Sequence, residues 1–310
     1  VEKSPLKVVL FAASTALLAT IVTDARALDL PSPLVSTQWL ADNQDHVRVL
    51  DVRNDPDSFK EGGHILGAIR VDFKAMRGVA KEGDVQIDDM ALRGDAFKTF
   101  MKQSGVSSGQ PIIITHRSRG PDDVGYAAYL YWQLKLHGHE KVAILDGGTT
   151  KWIAEGREVW GEDESVEPGN FTAERTREEL SSSTDAVKAM LEGKTADIID
   201  SRPFEFYIGL EKRPAVPKPG HIPTAKSFPF TALLKPDGTF RETEKLAAAM
   251  QAVGLKQDRP SVAYCNTGHV AAITWFVQHE LLGYQNASLY DGSMLAWTTH
   301  GNDAVLAISP

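Results

Sequence analysis

The 310-residue chain reads as an α/β protein of two similar domains, each built on a parallel sheet. Three observations predict this. A set of short motifs occurs twice, in the same order and at long period, which is the mark of a tandem duplication. Within each copy the apolar runs are short and unbroken, as in strands covered on both faces. Longer apolar segments of helical length follow them, and strands alternating with helices define the α/β class. Composition agrees: 42% hydrophobic residues exclude wholesale disorder, and a single Cys excludes a disulfide-stapled scaffold. With 33 basic against 41 acidic residues and a net charge of -8, a nucleic-acid surface is not expected. The length suits two domains of roughly 100–150 residues each.

Residues 1–27 form the first segment. Lys3 and Lys7 flank an apolar run from Val8 to Val22, and Asp24-Ala25-Arg26-Ala27 follows with an A-x-A pattern. The run is shorter than the roughly 20 residues of a membrane-spanning helix. It is expected to be a signal peptide cleaved near Ala27, leaving Leu28 first and a periplasmic or extracellular protein with no membrane in its mature form, an uncleaved anchor or a buried N-terminal helix being the other readings.

The first copy, expected over 34–160, opens with Val47-Arg48-Val49-Leu50-Asp51-Val52-Arg53, a β-branched run closed by an acid and a base. Gly63-His64-Ile65-Leu66-Gly67-Ala68 comes next, then the strand-like Pro111-Ile112-Ile113-Ile114-Thr115-His116 and the helical Ala127–Trp132. Leu145-Asp146-Gly147-Gly148 closes the set, with Trp152 six residues after the aspartate. His137-Gly138-His139 lacks a third ligand at useful spacing and is expected to be a surface loop, not a metal site. An acidic stretch with Pro and Gly, Gly161–Asn170, reads as an exposed linker within 161–182.

The second copy, expected over 183–305, returns each element. Asp200 and Arg202 match Asp51 and Arg53; Gly220-His221-Ile222 matches Gly63-His64-Ile65. Val262-Ala263-Tyr264 leads into Cys265-Asn266-Thr267-Gly268-His269-Val270, and Ala271–Val277 resumes as helix. Tyr290-Asp291-Gly292-Ser293 precedes Trp297. An insertion, Lys212–Pro219, has no counterpart in the first copy; it is read either as a basic rim to a cleft or as a plain loop extension. Trp152, Trp275 and Trp297 are expected in the core.

Cys265 stands where a strand ends and a helix begins. Successive backbone N–H groups at such a junction can converge on one centre and favour the thiolate over the thiol. Gly268 lets the loop curl. The first copy carries His116-Arg117-Ser118-Arg119-Gly120 there, longer and without a nucleophile, so it is expected to be an inactive structural partner that covers the working site. A cysteine phosphatase would need an arginine six residues after the cysteine, where Ala271 stands. A redox dithiol would need a second cysteine.

Taken together, Asp-x-Arg, Gly-His-Ile, the cysteine loop and Asp-Gly-Gly/Ser before tryptophan resemble the tandem rhodanese family of sulfurtransferases, over nearly all of the chain after residue 27. The resemblance implies a parallel five-stranded sheet with helices on both faces in each domain, and a dead first domain. It implies that Cys265 takes sulfane sulfur from a small anionic donor, thiosulfate first and 3-mercaptopyruvate second, and passes it to cyanide or a thiol acceptor. Neither metal nor organic cofactor is required. It also implies that Arg202 helps bind the donor, an ion pair with a neighbouring carboxylate being the other reading. Backbone N–H groups of Asn266, Thr267, Gly268, His269 and Val270 are expected around the sulfur. Asp200 and Asp291 are expected to fix loops, and His221 to steady its turn. The loop departs from the family's basic thiosulfate-preferring loops and from Cys-Gly-Ser-Gly-Val-Thr, so donor preference stays open. A persulfide carrier serving a sulfur-acceptor protein is the alternative.

Overall fold

The computed structural model describes residues 28–308 apart from 118, 163, 164 and 174; the expected signal peptide lies outside the described residues. Among the described residues eleven strands are formed: β1 (Leu34–Val35), β2 (Arg48–Arg53), β3 (Ile69–Asp72), β4 (Arg77–Glu82), β5 (Val85–Ala91), β6 (Ile112–His116), β7 (Val142–Leu145), β8 (Asp197–Asp200), β9 (Lys226–Ser227), β10 (Ser261–Tyr264) and β11 (Ala287–Leu289).

The first sheet has the order β1-β7-β6-β2-β3 and is parallel throughout. The second has the order β11-β10-β8-β9, also parallel. Its fifth position is reduced to a single parallel bridge between Ser181 and Leu289, where Ser182 N–H donates to Leu289 O at 2.9 Å. In both sheets the strand before the critical loop is internal: β6 between β7 and β2, β10 between β11 and β8. Their residues are fully buried, which explains the unbroken apolar runs. A loop leaving the carboxyl end of an inner strand is where open α/β sheets place their ligands.

One element has no match in the duplicated motifs. Strands β4 and β5 pair as an antiparallel hairpin between β3 and the next helix. It leans on the second domain: Met90 and Ile87 belong to the same buried cluster as Tyr264, Tyr290 and Met294.

The two domains share a core. The helix Asp123–Leu136 is buried on nearly every face, as a helix apolar all round must be. It packs on Ala271–Phe276, with the Tyr131 and Phe276 rings 4.9 Å apart and edge-on. That contact joins residues of both halves into one hydrophobic cluster.

His137 and His139 are buried, not on a surface loop. The ring of His137 stacks on Phe97 at 4.1 Å, and its Nδ1 lies 2.8 Å from Gln133 O. Burial pushes the His137 imidazole down to about 4. The described linker residues up to Asn170 are exposed apart from the half-buried Val166 and Gly169, Val166 packing against the core, and Phe171 and Leu180 beyond them are buried. Trp152, Trp275 and Trp297 lie in the core.

Candidate active site

Cys265 follows β10 directly and is buried, with 2% of its surface exposed. It sits at the floor of a cavity of about 450 Å³. The loop's carbonyls are tied outward. Met294 N–H donates to Cys265 O at 3.1 Å, Leu295 N–H to Asn266 O at 3.0 Å, and Ala272 N–H to Gly268 O at 3.2 Å.

Ser293 organises the donors. Its hydroxyl oxygen accepts from Cys265 N–H and from Gly268 N–H, both at 3.0 Å, and itself donates to Tyr290 O at 2.8 Å. Ser293 holds φ at +50° to do this, a conformation that costs a non-glycine residue roughly 1–2 kcal/mol. Gly268, at φ +77°, has no room for a side chain: a Cβ would meet Asp291 Oδ1 at 2.4 Å. With those two N–H groups engaged, the N–H groups of Asn266, Thr267, His269 and Val270 are left without an acceptor among the described residues. Four such donors, in the loop that begins at the buried thiol, can serve an anion or a polarised sulfur.

Of the loop residues singled out in the sequence, Cys265, Asn266, Thr267, His269 and Val270 line the cavity. Gly268 lies beneath it. Arg202 sits behind the loop in a buried ion pair: its Nε and Nη2 reach Asp200 at 2.9 and 2.5 Å, and Nη2 also donates to Gly220 O at 2.7 Å. Burial opposes the Arg202 charge, and the Asp200 carboxylate outweighs it, so the pKa is raised. Asp200 also accepts from Tyr264 OH at 2.7 Å. Arg202 touches the loop through Asn266 Oδ1, 3.4 Å from Nη1, and thereby steadies it. His221 stacks on Tyr207 at 3.8 Å, its Nδ1 2.8 Å from Tyr207 O.

The first domain covers the site, the arrangement expected of the copy without a nucleophile. Phe73, Lys74, Arg77, Asp89 and Tyr126 line the cavity from that side. His269 lies parallel to Tyr126, ring centroids 4.5 Å apart. Burial, reinforced by the positive charge of Arg77, pushes His269 down to about 3, so it is neutral near pH 7 and serves as packing. Asp291 is an interdomain tie, accepting from Ala91 N–H at 2.8 Å and Tyr129 OH at 2.6 Å. From the insertion, Arg213 through Val216 line the opposite wall.

The two halves are built alike and filled differently. His116 takes the place of Cys265, is buried, and is pushed down to about 3 by burial and by Arg53. Gly148, at φ +58°, takes the place of Ser293, and a Cβ there would strike His116 O at 2.2 Å.

This duplicated architecture is matched by a family model. Residues 36–155 and 183–300 both match the rhodanese-like domain. The chain belongs to the rhodanese family. Among relatives of this family, a protein of Mycobacterium leprae named putative thiosulfate sulfurtransferase is 33% identical over 87% of this chain and 94% of its own. The sulfur carrier protein TtuD of Thermus thermophilus is 32% identical over 88% of this chain and 94% of its own. The rhodanese fold of the 3-mercaptopyruvate sulfotransferase SseA from Escherichia coli superposes with a TM-score of 0.72 and 27% identity, covering 84% of this chain and 98% of that one. This rhodanese is therefore a sulfurtransferase-family protein with a cysteine loop in its second domain only. Among the described residues, no cluster of three or more His, Cys, Asp or Glu side chains is placed to hold a metal ion.

Proposed function

We propose that the protein is an exported sulfurtransferase working by double displacement at Cys265. The observation that carries this reading is the buried thiol at the start of a loop whose Asn266, Thr267, His269 and Val270 N–H groups have no acceptor among the described residues. In the first step the Cys265 thiolate attacks the sulfane sulfur of thiosulfate. A new S–S bond forms, the donor's S–S bond breaks, and sulfite leaves with the electron pair. With 3-mercaptopyruvate the C–S bond breaks instead, and the departing enolate takes up a proton as pyruvate. The loop N–H groups serve the terminal sulfur of the persulfide as charge gathers on it. In the second step cyanide or a thiolate attacks that outer sulfur, and Cys265 leaves as thiolate, ready for another cycle.

Intact mass before and after each donor, and then after cyanide, tests the cycle. Wild type is expected to gain one sulfur atom and lose it to cyanide. Cys265→Ser is expected to gain none while keeping its fold, and retained transfer by that variant overturns the reading. A second reading, a carrier that hands its persulfide to one partner protein, is favoured by the likeness to the Thermus thermophilus sulfur carrier. It predicts a sulfur gain that cyanide removes poorly.

A further inference from the structure

We propose that Tyr129, in the domain without the cysteine, is a positioning residue for Cys265: its hydroxyl fixes Asp291, and through Asp291 the segment that shapes the cysteine loop. The inference deepens the sulfurtransferase reading and rests on it for the reaction concerned.

The chain of contacts is short. Ser293 Oγ accepts from Cys265 N–H and Gly268 N–H, both at 3.0 Å. Two residues earlier, Asp291 lies so close to Gly268 that a Cβ there would meet its Oδ1 at 2.4 Å and its carbonyl oxygen at 2.8 Å. The Asp291 carboxylate is buried, and both of its hydrogen-bond donors come from the first domain. Ala91 N–H reaches Oδ2 at 2.8 Å, and Tyr129 OH reaches Oδ1 at 2.6 Å. The oxygen that abuts Gly268 is thus the one that Tyr129 holds. The hydroxyl is aimed by packing, since the buried Tyr129 ring lies 5.8 Å from Phe73 and 5.6 Å from Trp132. Burial raises the Asp291 pKa, and the Arg77 charge and the two donors oppose the rise. A buried carboxylate that loses a donor must shift or take up a proton. Either response disturbs the Asp291–Ser293 segment beneath the loop.

The duplication supplies the comparison. Asp146 holds the place of Asp291 in the first copy, and it accepts from Phe240 N–H of the second domain at 2.9 Å. That backbone bond mirrors the one from Ala91. Along the paired helices, however, Ala127-Ala128-Tyr129 stands against Ala271-Ala272-Ile273. Where one side of the interface has a hydroxyl, the other has hydrocarbon. A tie that served only to join the domains would work equally well on either side. The additional donor stands on the side that carries the thiol.

The test reads the loop as well as turnover. Tyr129→Phe removes the hydroxyl and keeps the buried ring. Amide exchange of the full-length protein is followed residue by residue by NMR, with the amides of β2 as the measure of global stability. Relative to β2, the N–H groups of Cys265 and Gly268 are expected to exchange about tenfold faster in Tyr129→Phe than in wild type. The kcat for thiosulfate and cyanide is expected to fall about tenfold, with the KM for thiosulfate within about twofold, because donors to the developing charge are displaced. Asp146→Asn, which weakens the mirror tie, is expected to leave loop exchange and kcat within about twofold. Adding Tyr129→Phe to Asp291→Asn is expected to change kcat less than about twofold, as for two residues acting through one contact. If Tyr129→Phe does not fold, Asp291→Asn against Asp146→Asn still decides: only the first is expected to speed loop exchange. Unchanged loop exchange or unchanged kcat in Tyr129→Phe, an equal effect from Asp146→Asn, or additive losses in the double variant overturns the proposal. Faster loop exchange in a protein that forms no persulfide with thiosulfate or 3-mercaptopyruvate sinks the sulfurtransferase reading and leaves Tyr129 as the residue that orders the loop.

Discussion

Ser293 shows how much a single hydroxyl can organise. It takes two buried N–H groups out of the loop's donor set, those of Cys265 and Gly268, and so determines which donors remain to face sulfur. Leaving two buried donors unmet costs about 1–3 kcal/mol each. The variant Ser293→Gly removes the hydroxyl while tolerating the φ of +50°. It is expected to lose about 2 kcal/mol of stability and about tenfold or more in sulfur-transfer rate. Ser293→Ala keeps the backbone strain and loses the hydroxyl, so it is expected to melt below the glycine variant. Denaturant unfolding alongside turnover checks the order; a glycine variant with full activity would show that the loop holds its shape without Ser293. The residue stood within the repeated Asp-Gly-Gly/Ser motif, yet nothing in the sequence marks it, because the role comes from a left-handed backbone that aims the side chain under a loop 25 residues away.

At the scale of elements, the duplicated strands and the position of Cys265 were legible because they rest on local signals: unbroken apolar runs, a motif order, and a strand-to-helix junction. The hairpin β4–β5 was not. Arg77-Gly78-Val79-Ala80-Lys81-Glu82 alternates weakly and has no echo in the second copy, so it offered no repeat to read. Its importance appears only when the first domain closes over the second. For Arg202 the ion-pair reading is what the structure shows: Asp-x-Arg places an acid and a base two residues apart at a strand end, and burial makes them partners. The same kind of long-range contact governs the helices. Asp123–Leu136 and Ala271–Phe276 share one cluster, so the domains are expected to unfold together in a single calorimetric transition. Phe276→Ala, which removes the ring packed on Tyr131 and Phe240, is expected to cost about 3–5 kcal/mol and to split that transition in two. A wild type with two transitions would mean the domains are coupled weakly despite the shared core.

Across the whole molecule, the first domain completes the cavity at Cys265: it supplies the donors to Asp291 and the aromatic wall that encloses His269. That enclosure gives the interface a definite response to pH. The His269 ring, stacked on Tyr126 and tilted against Phe73 at 4.9 Å, has its pKa pushed down to about 3, while an unfolded histidine titrates near 6.5. As pH falls below about 6.5 the unfolded chain binds the proton first, so the unfolded state gains. The stability tied to a neutral His269 is thus complete above about 6.5 and drains away as pH falls toward 3. Between pH 7 and 5 this amounts to about 1–2 kcal/mol for one such group. His269→Phe keeps a ring on Tyr126 and cannot be protonated, and the Nε2 it replaces has no partner in the protein. Chemical denaturation of both proteins across pH 5 to 7 is expected to give a difference that narrows or reverses toward pH 5, wild type losing more. Parallel curves would mean that His269 gains a proton in the folded state at ordinary cost, and that the seam between the domains opens enough for water to reach it.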